Sequence, residues 1–260
     1  MNRYVAPFLT IGILALGLAP ASVSGAPKYG PDAKPLSAQT HWAYFRENPA
    51  PDFFRLIPYY IPQSTPSGCS AANMTMLLNA ARSHGHLAAD DKLLTFESFA
   101  REYAGDPDYT KAILGGKKAL LTLMTKKPLA NANLAKVLGN AARKIGIPST
   151  QAVQLRVIDQ ADRVRARADF EKALLENEKS SDDFIFFSYL QGRITGDPEG
   201  GAHVATVAAY DAKTKSVLVL DPDREWYEPH WTSVDALFEA IADPASDSRK
   251  ESGWIVFRVR

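Results

Sequence analysis

From residue 69 onward the apolar positions follow first one period and then another. Met74, Leu77, Leu78 and Ala81 recur at i, i+3, i+4 and i+7, the spacing that gathers side chains on one helix face. This predicts an amphipathic helix over 69–83, ended by Gly85. Further helices are expected at 96–103, 117–125, 133–144 and 167–179. Beyond them the pattern shortens. Residues 184–190 are apolar or aromatic apart from Ser188, 203–210 are rich in Val, Thr and Ala, and 216–220 read as a buried strand. Residues 211–215 join the last two as a hairpin. Thr232 or Ser233 can cap a helix with Val234, Leu237, Phe238 and Ile241 on one face, and 254–259 supply a closing strand.

Seven prolines between 27 and 62 each fix their own φ and remove a backbone donor, so 26–63 are expected to be largely irregular and to wrap the surface. The fold class that follows is α+β. A helical lobe over about 60–180 faces a mostly antiparallel sheet lobe over about 181–260.

The N-terminus changes where this domain is expected to work. Arg3 precedes an apolar run at 8–18, too short to span a bilayer, and 19–26 are mostly small residues. That is the pattern of a cleaved secretory signal over 1–26, so an exported, periplasmic or secreted protein without a stable membrane anchor is expected. About 235 residues then remain, enough for one substantial core. The formal net charge of +1 gives no electrostatic case for nucleic acid. The lysines and arginines of 111–167 are interleaved with apolar residues, as on solvated helix faces.

One cysteine stands in the whole chain, Cys69, in a Pro-Ser-Gly-Cys-Ser turn that opens onto the predicted helix. An oxidising compartment favours paired cysteines or none, so a lone thiol there is either an inert core atom or a nucleophile. At a helix N-terminus, free N–H groups and the dipole favour the anionic form of a thiol. Activation needs a base. Of the five histidines, only His203 begins a predicted strand, after Gly200, Gly201 and Ala202, whereas His41, His84, His86 and His230 lie in the proline-rich segment, around a helix end or beside Pro229. Asp221 ends the partner strand of the same hairpin and can orient the imidazole. Gln63 stands shortly before Cys69 and can offer an amide to an oxyanion beside the Cys69 N–H. Read singly, His203 is equally a satisfied core histidine, Asp221 a turn residue and Gln63 a surface loop residue. His84 and His86 suggest a metal site only weakly.

Gln63 through Ala81, Gly200 through Asp221, then Arg224, Tyr227, Pro229, Trp231 and Trp254 together resemble the phytochelatin synthase family of papain-like cysteine transpeptidases. The resemblance runs from about 59 to 259 and is most specific over 200–231. It implies a papain-like fold, a triad on Cys69, His203 and Asp221, and Gln63 as the oxyanion residue. Gly201, Arg224 and Tyr227 fall at positions it associates with substrate binding. Glutathione or a related γ-glutamyl peptide is the implied substrate, cleaved with release of glycine and transferred to water or to a second glutathione. No cofactor is implied, and cadmium or zinc would enter only as glutathione thiolates. A homodimer is left open. Three residues depart from the family pattern: Gly68 and Ser70, which flank the thiol where an aromatic residue and a glycine are usual, and Asp223, an added acid near the implied substrate site. A peptidase or amidase acting on other peptides, or a non-catalytic binding module, is the alternative.

Overall fold

The computed structural model describes residues 28–38, 42–84, 87–115, 130–147, 152–198, 200–247 and 251–259. The expected signal segment at 1–26, the helix expected at 117–125, and His41 and His86 lie outside these residues.

Within them, seven strands form one sheet in which every paired neighbour is antiparallel. Across the sheet the order is β1 (Lys34–Pro35), β6 (His230–Ser233), β5 (Ser216–Leu220), β4 (Ala202–Asp211), β3 (Asp183–Leu190), β7 (Gly253–Arg258) and β2 (Val153–Val157). The α+β expectation therefore stands. β2, from the stretch read as helical, pairs with β7 at one edge, and β1 reaches back from the proline-rich segment to the other.

Both faces of the sheet are covered, which is why β3 reads as an almost unbroken apolar run rather than an alternation. Phe184 and Phe186 pack on one side with α3 (Cys69–His84) and α6 (Asn131–Lys144). Ile185, Phe187 and Tyr189 pack on the other with α7 (Arg163–Asn177) and α9 (Val234–Ala242). A bulge between Val207 and Ala209 of β4 breaks the alternation, so Ala208 and Ala209 both face the α3 side. Ser233 caps α9 by accepting from the Ala236 N–H, as the sequence suggested.

The helix at 69 differs from its expected amphipathic form. Residues 69–81 are buried around the whole circumference, so α3 is a central helix. Its polar residues are buried because each finds a partner. Ser70 Oγ bonds Tyr109 Oη at 2.9 Å, Thr75 donates to the Ala71 carbonyl at 2.7 Å, and Asn79 exchanges two bonds with the backbone of Leu94. Tyr109 belongs to α5 (Pro107–Leu114), a helix the periodicity did not indicate; Asp106 caps it by accepting from the Tyr109 N–H. The helix expected at 96–103 is a short α turn, α4 (Phe96–Ser98), running into a π-helical turn at Phe99–Tyr103.

The proline-rich segment is also more than a surface wrap. It forms α1 (Ala43–Glu47) and α2 (Pro51–Leu56), with Pro51 in the first helical turn, where no N–H bond is lost. Ala50, Asp52 and Leu56 are fully buried. Asp52 accepts from Asn177 Nδ2, while Asp52 Oδ1 and Asn177 Oδ1 are both buried and find no donor among the described residues. A proton on Asp52 Oδ1 makes that atom a donor beside the Asn177 amide, the form in which a buried acid carries no charge. Burial raises the Asp52 pKa well above the carboxylate range, the Asn177 bond opposes this, and the charges of Asp183 and Glu178 add to it. Because the folded pKa lies above the unfolded one, the native state must hold a proton that the unfolded chain has released, and stability falls as pH rises past the unfolded value of 3.8. Asn at this position never ionises. Asp52→Asn is expected to raise the thermal midpoint near neutral pH by about 2–6 °C. Calorimetry at pH 7 and below pH 4 checks this: the gain shrinks in acid, and an equal gain at both would contradict the protonated pair.

Candidate functional site

The residues singled out in the sequence meet where β4 begins and β5 stops. Asp221 follows the last residue of β5, His203 is the second residue of β4, and the N-terminus of α3 brings Cys69 to the same end of the sheet. All three are largely enclosed: Cys69 and His203 are 8% exposed and Asp221 is fully buried. His203 Nε2 lies 2.7 Å from Asp221 Oδ1. With Nε2 committed to the carboxylate, Nδ1 is the nitrogen left for the thiol, and Cys69 acts on the imidazole both by charge and by hydrogen bonding.

These neighbours decide the charge state. Burial alone pulls the His203 pKa down, but the Asp221 charge, then Cys69, outweigh it and leave it well above its usual value. Burial pushes Asp221 up, yet the charge and hydrogen bond of His203 hold it below the usual carboxylate range. The imidazolium and the carboxylate are each other's main support.

The sequence did not reveal how heavily Asp221 is braced. Tyr189 Oη donates to Oδ2 at 2.6 Å, Gln191 Nε2 to the same oxygen at 3.0 Å, and the Asp223 N–H to Oδ1 at 2.9 Å. Together with His203 these donors fix both oxygens, so a buried carboxylate is tolerated. Tyr189 and His203 are cross-strand partners whose rings meet edge to face at 5.9 Å. Gln191 begins α8 (Gln191–Thr195), whose Gly192 lies so close to Gly200 that a Cβ on Gly200 would stand 2.5 Å from the Gly192 nitrogen. That approach positions the turn preceding His203. The only local signal for Tyr189 and Gln191 is polar groups at the end of an apolar strand.

Asn73 ties the thiol to the imidazole's strand. One turn after Cys69, its Nδ2 donates to the Cys69 and Val204 carbonyls, each at 2.9 Å, and its Oδ1 accepts from Thr206 Oγ1 at 2.7 Å. The register between α3 and β4 is thereby set by one side chain. His230, set aside in the sequence, is also close: it is fully buried, and burial lowers its pKa against the opposing pull of Asp221.

Gln63 is held beside the same loop, its N–H bonded to the Pro222 carbonyl at 2.9 Å, with Oε1 buried and unpartnered among the described residues. Arg224 is exposed and stacks on the Tyr60 ring at 4.9 Å, while the Tyr60 hydroxyl donates to the Asp221 carbonyl. Tyr227 is packed edge to face against Tyr29 at 5.9 Å. Gly201 is exposed, with open space on its Cβ side, and its carbonyl accepts from the Gln191 N–H. Gly68 leaves room for Phe96, whose ring would stand 2.8 Å from a Cβ there, so an aromatic ring lies against the residue before the thiol although it comes from another element. Among the described residues no group of three or more His, Cys, Asp or Glu is arranged to hold a metal ion, and no helix is long and apolar enough to cross a membrane. A cleft of about 720 Å³ under α7, lined by Arg156, Arg165, Asp169 and Trp254 among others, contains none of these site residues.

A sequence model of the family described as phytochelatin synthase matches residues 40–254. Over 204 residues the chain is 23% identical to glutathione gamma-glutamylcysteinyltransferase 1 of Arabidopsis thaliana, covering 78% of this chain and 36% of the relative. Over 191 residues it is 25% identical to glutathione gamma-glutamylcysteinyltransferase 3 of Lotus japonicus, covering 73% and 34%. The chain thus spans about a third of the length of these curated relatives.

Proposed function

Since the chain belongs to the phytochelatin synthase family, we propose that it is a papain-like cysteine acyltransferase that cleaves glutathione at the Cys-Gly bond and releases glycine. The observation that carries the reading is the 2.7 Å His203–Asp221 pair meeting a lone thiol at a helix N-terminus. A central helix bearing the nucleophile, packed on an antiparallel sheet bearing the histidine, is the arrangement a papain-like fold requires.

The mechanism follows from charge. The Cys69 thiolate attacks the Cys-Gly carbonyl, and the oxyanion is held by the Cys69 N–H and the Gln63 amide. His203, kept as imidazolium, gives its proton to the departing glycine nitrogen. A γ-glutamylcysteinyl thioester remains on Cys69. Neutral His203 then takes a proton from water, giving γ-glutamylcysteine, or from the amine of a second glutathione, giving a longer peptide. Asp221 holds the ring so that Nδ1 faces the reacting atoms. The apolar run at 8–18 and the small residues at 19–26 support export before the enzyme acts.

The test is direct. Purified protein incubated with glutathione is expected to release glycine and γ-glutamylcysteine in equal amounts when water is the acceptor, followed by amine derivatisation and mass spectrometry. No glycine above the protein-free control would remove glutathione as substrate and leave other peptides or amides to be profiled.

A further inference from the structure

Asp223 is fixed beside Asp221, the carboxylate that holds His203, yet its own side chain has no task in the chemistry above. Its N–H is bonded to Asp221 Oδ1, the oxygen that also holds His203 Nε2. Its carbonyl accepts from the N–H groups of Trp226 at 3.0 Å and Tyr227 at 2.8 Å, so the residue opens a tight turn and its backbone cannot swing away. Its carboxylate is half-buried and makes no hydrogen bond or ion pair within the described residues. The charges it senses are His203, Asp221 and Glu225. A carboxylate half removed from water, sensing the His203 charge but in no ion pair among the described residues, is a site for a mobile cation.

The mechanism places a cation there twice. The nitrogen leaving with glycine becomes an ammonium, and the amine of an acceptor arrives as one. Resting on the transferase reading, we propose that Asp223 is the ammonium subsite, holding the acceptor amine next to His203 and thereby favouring transfer to an amine over hydrolysis. Once the acceptor ammonium is docked, one of its protons is lost to solvent. The nitrogen lone pair attacks the thioester carbonyl, the C–N bond forms as the second proton passes to His203 Nδ1, and the C–S bond breaks to leave Cys69 as thiolate beside the imidazolium. Water gains nothing from a carboxylate placed for a cation, so the residue acts on the partition between the two acceptors.

Asp223→Asn keeps the shape of the side chain and removes its charge. Wild type and variant are compared on glutathione by the ratio of the transfer product, γ-Glu-Cys-γ-Glu-Cys-Gly, to γ-glutamylcysteine. A second ratio uses hydroxylamine, which traps the same thioester but is largely uncharged at neutral pH. Loss of a charge-assisted bond is expected to lower the glutathione ratio by about tenfold or more. The hydroxylamine ratio should stay within about threefold, because that acceptor carries no ammonium for the carboxylate to bind. Asp223→Glu is expected to recover part of the glutathione ratio. An unchanged glutathione ratio, an equal fall in both ratios, or a wild type that releases glycine but never transfers to an amine would each overturn the subsite and leave the glutathione reading standing. No glycine release at all would remove both.

Discussion

Cys69→Ala is expected to lower glycine release from glutathione by on the order of 10⁴-fold or more, because it removes the only thiol in the sequence, the proposed site of acylation. Cys69 is the only cysteine, so the experiment has no substitute nucleophile to confuse it. The same fact makes the intermediate easy to assign. Acid-quenched wild-type enzyme should carry a γ-glutamylcysteinyl mass addition on the peptide containing Cys69, and the variant should carry none. The thiol is small and lies at the edge of the core near the helix start, so the thermal midpoint should move by no more than about 3 °C. A variant that keeps more than about 1% of the wild-type rate would sink nucleophilic catalysis by Cys69.

Asp221→Asn should cost about 10²- to 10⁴-fold in turnover, since an amide has one acceptor oxygen where the carboxylate has two. Tyr189, Gln191, His203 and the Asp223 N–H all point hydrogens at this side chain, and the Asn NH₂ would meet some of them head on. Charge matters as well as geometry. Burial lowers the His203 pKa and the Asp221 charge is the first of the influences that raise it, so losing that charge moves the pKa down even though Cys69 still raises it. The imidazolium that protonates departing glycine in the proposed mechanism is then lost at lower pH. The alkaline limb of the glycine-release profile is therefore expected to move to lower pH in Asp221→Asn. Tyr189→Phe removes one brace and keeps the charge; it should cost only about 3–10-fold, equivalent to one neutral hydrogen bond, and leave the limb in place. A limb that stays put in Asp221→Asn would mean that Asp221 orients the ring without setting its charge.

The two substitutions weigh different parts of one site. In the proposed mechanism Cys69 supplies the bond-forming atom, whereas Asp221 governs a proton. The ion pair between His203 and Asp221 also contributes to folding. His203 has a raised folded pKa, so its contribution is complete below about pH 6.5, its unfolded value, and is lost as pH rises through the folded one. His230, which burial keeps neutral, works in the opposite direction, because acid must charge it in the unfolded chain first. Stability should therefore be read at the pH of the activity assay.

Local pattern was enough for the elements that carry the proposed triad. The helix starting at Cys69, the two strands of the 203–220 hairpin and the capped helix at Val234 rest on periodicity and turn chemistry within a few residues, and the hairpin alone brings His203 and Asp221 together. What lay outside local reach were contacts made across the chain. Asn73 finds Val204 131 residues away, Tyr189 finds Asp221 32 residues away, and Ser70 is buried only because Tyr109 comes to meet it. No spacing rule encodes those encounters. They depend on which faces of α3 and β3 the sheet covers, and a polar residue looks the same in sequence whether its partner is water or another buried side chain. The proline-rich segment misled for the same reason: Ala50 and Leu56 belong to elements too short for periodicity, and their burial is a property of the surface that α2 packs against. The sequence by itself thus determined the lone thiol, its helix and the hairpin that carries the proposed base and its orienter, because each is a short-range consequence of backbone propensity. Only the tertiary structure decided how Asp221 is braced, how Asn73 ties the thiol to the imidazole's strand, and that the Asp223 carboxylate makes no hydrogen bond or ion pair among the described residues while its N–H is held by Asp221, since burial and long-range hydrogen bonding exist only once the layers have packed.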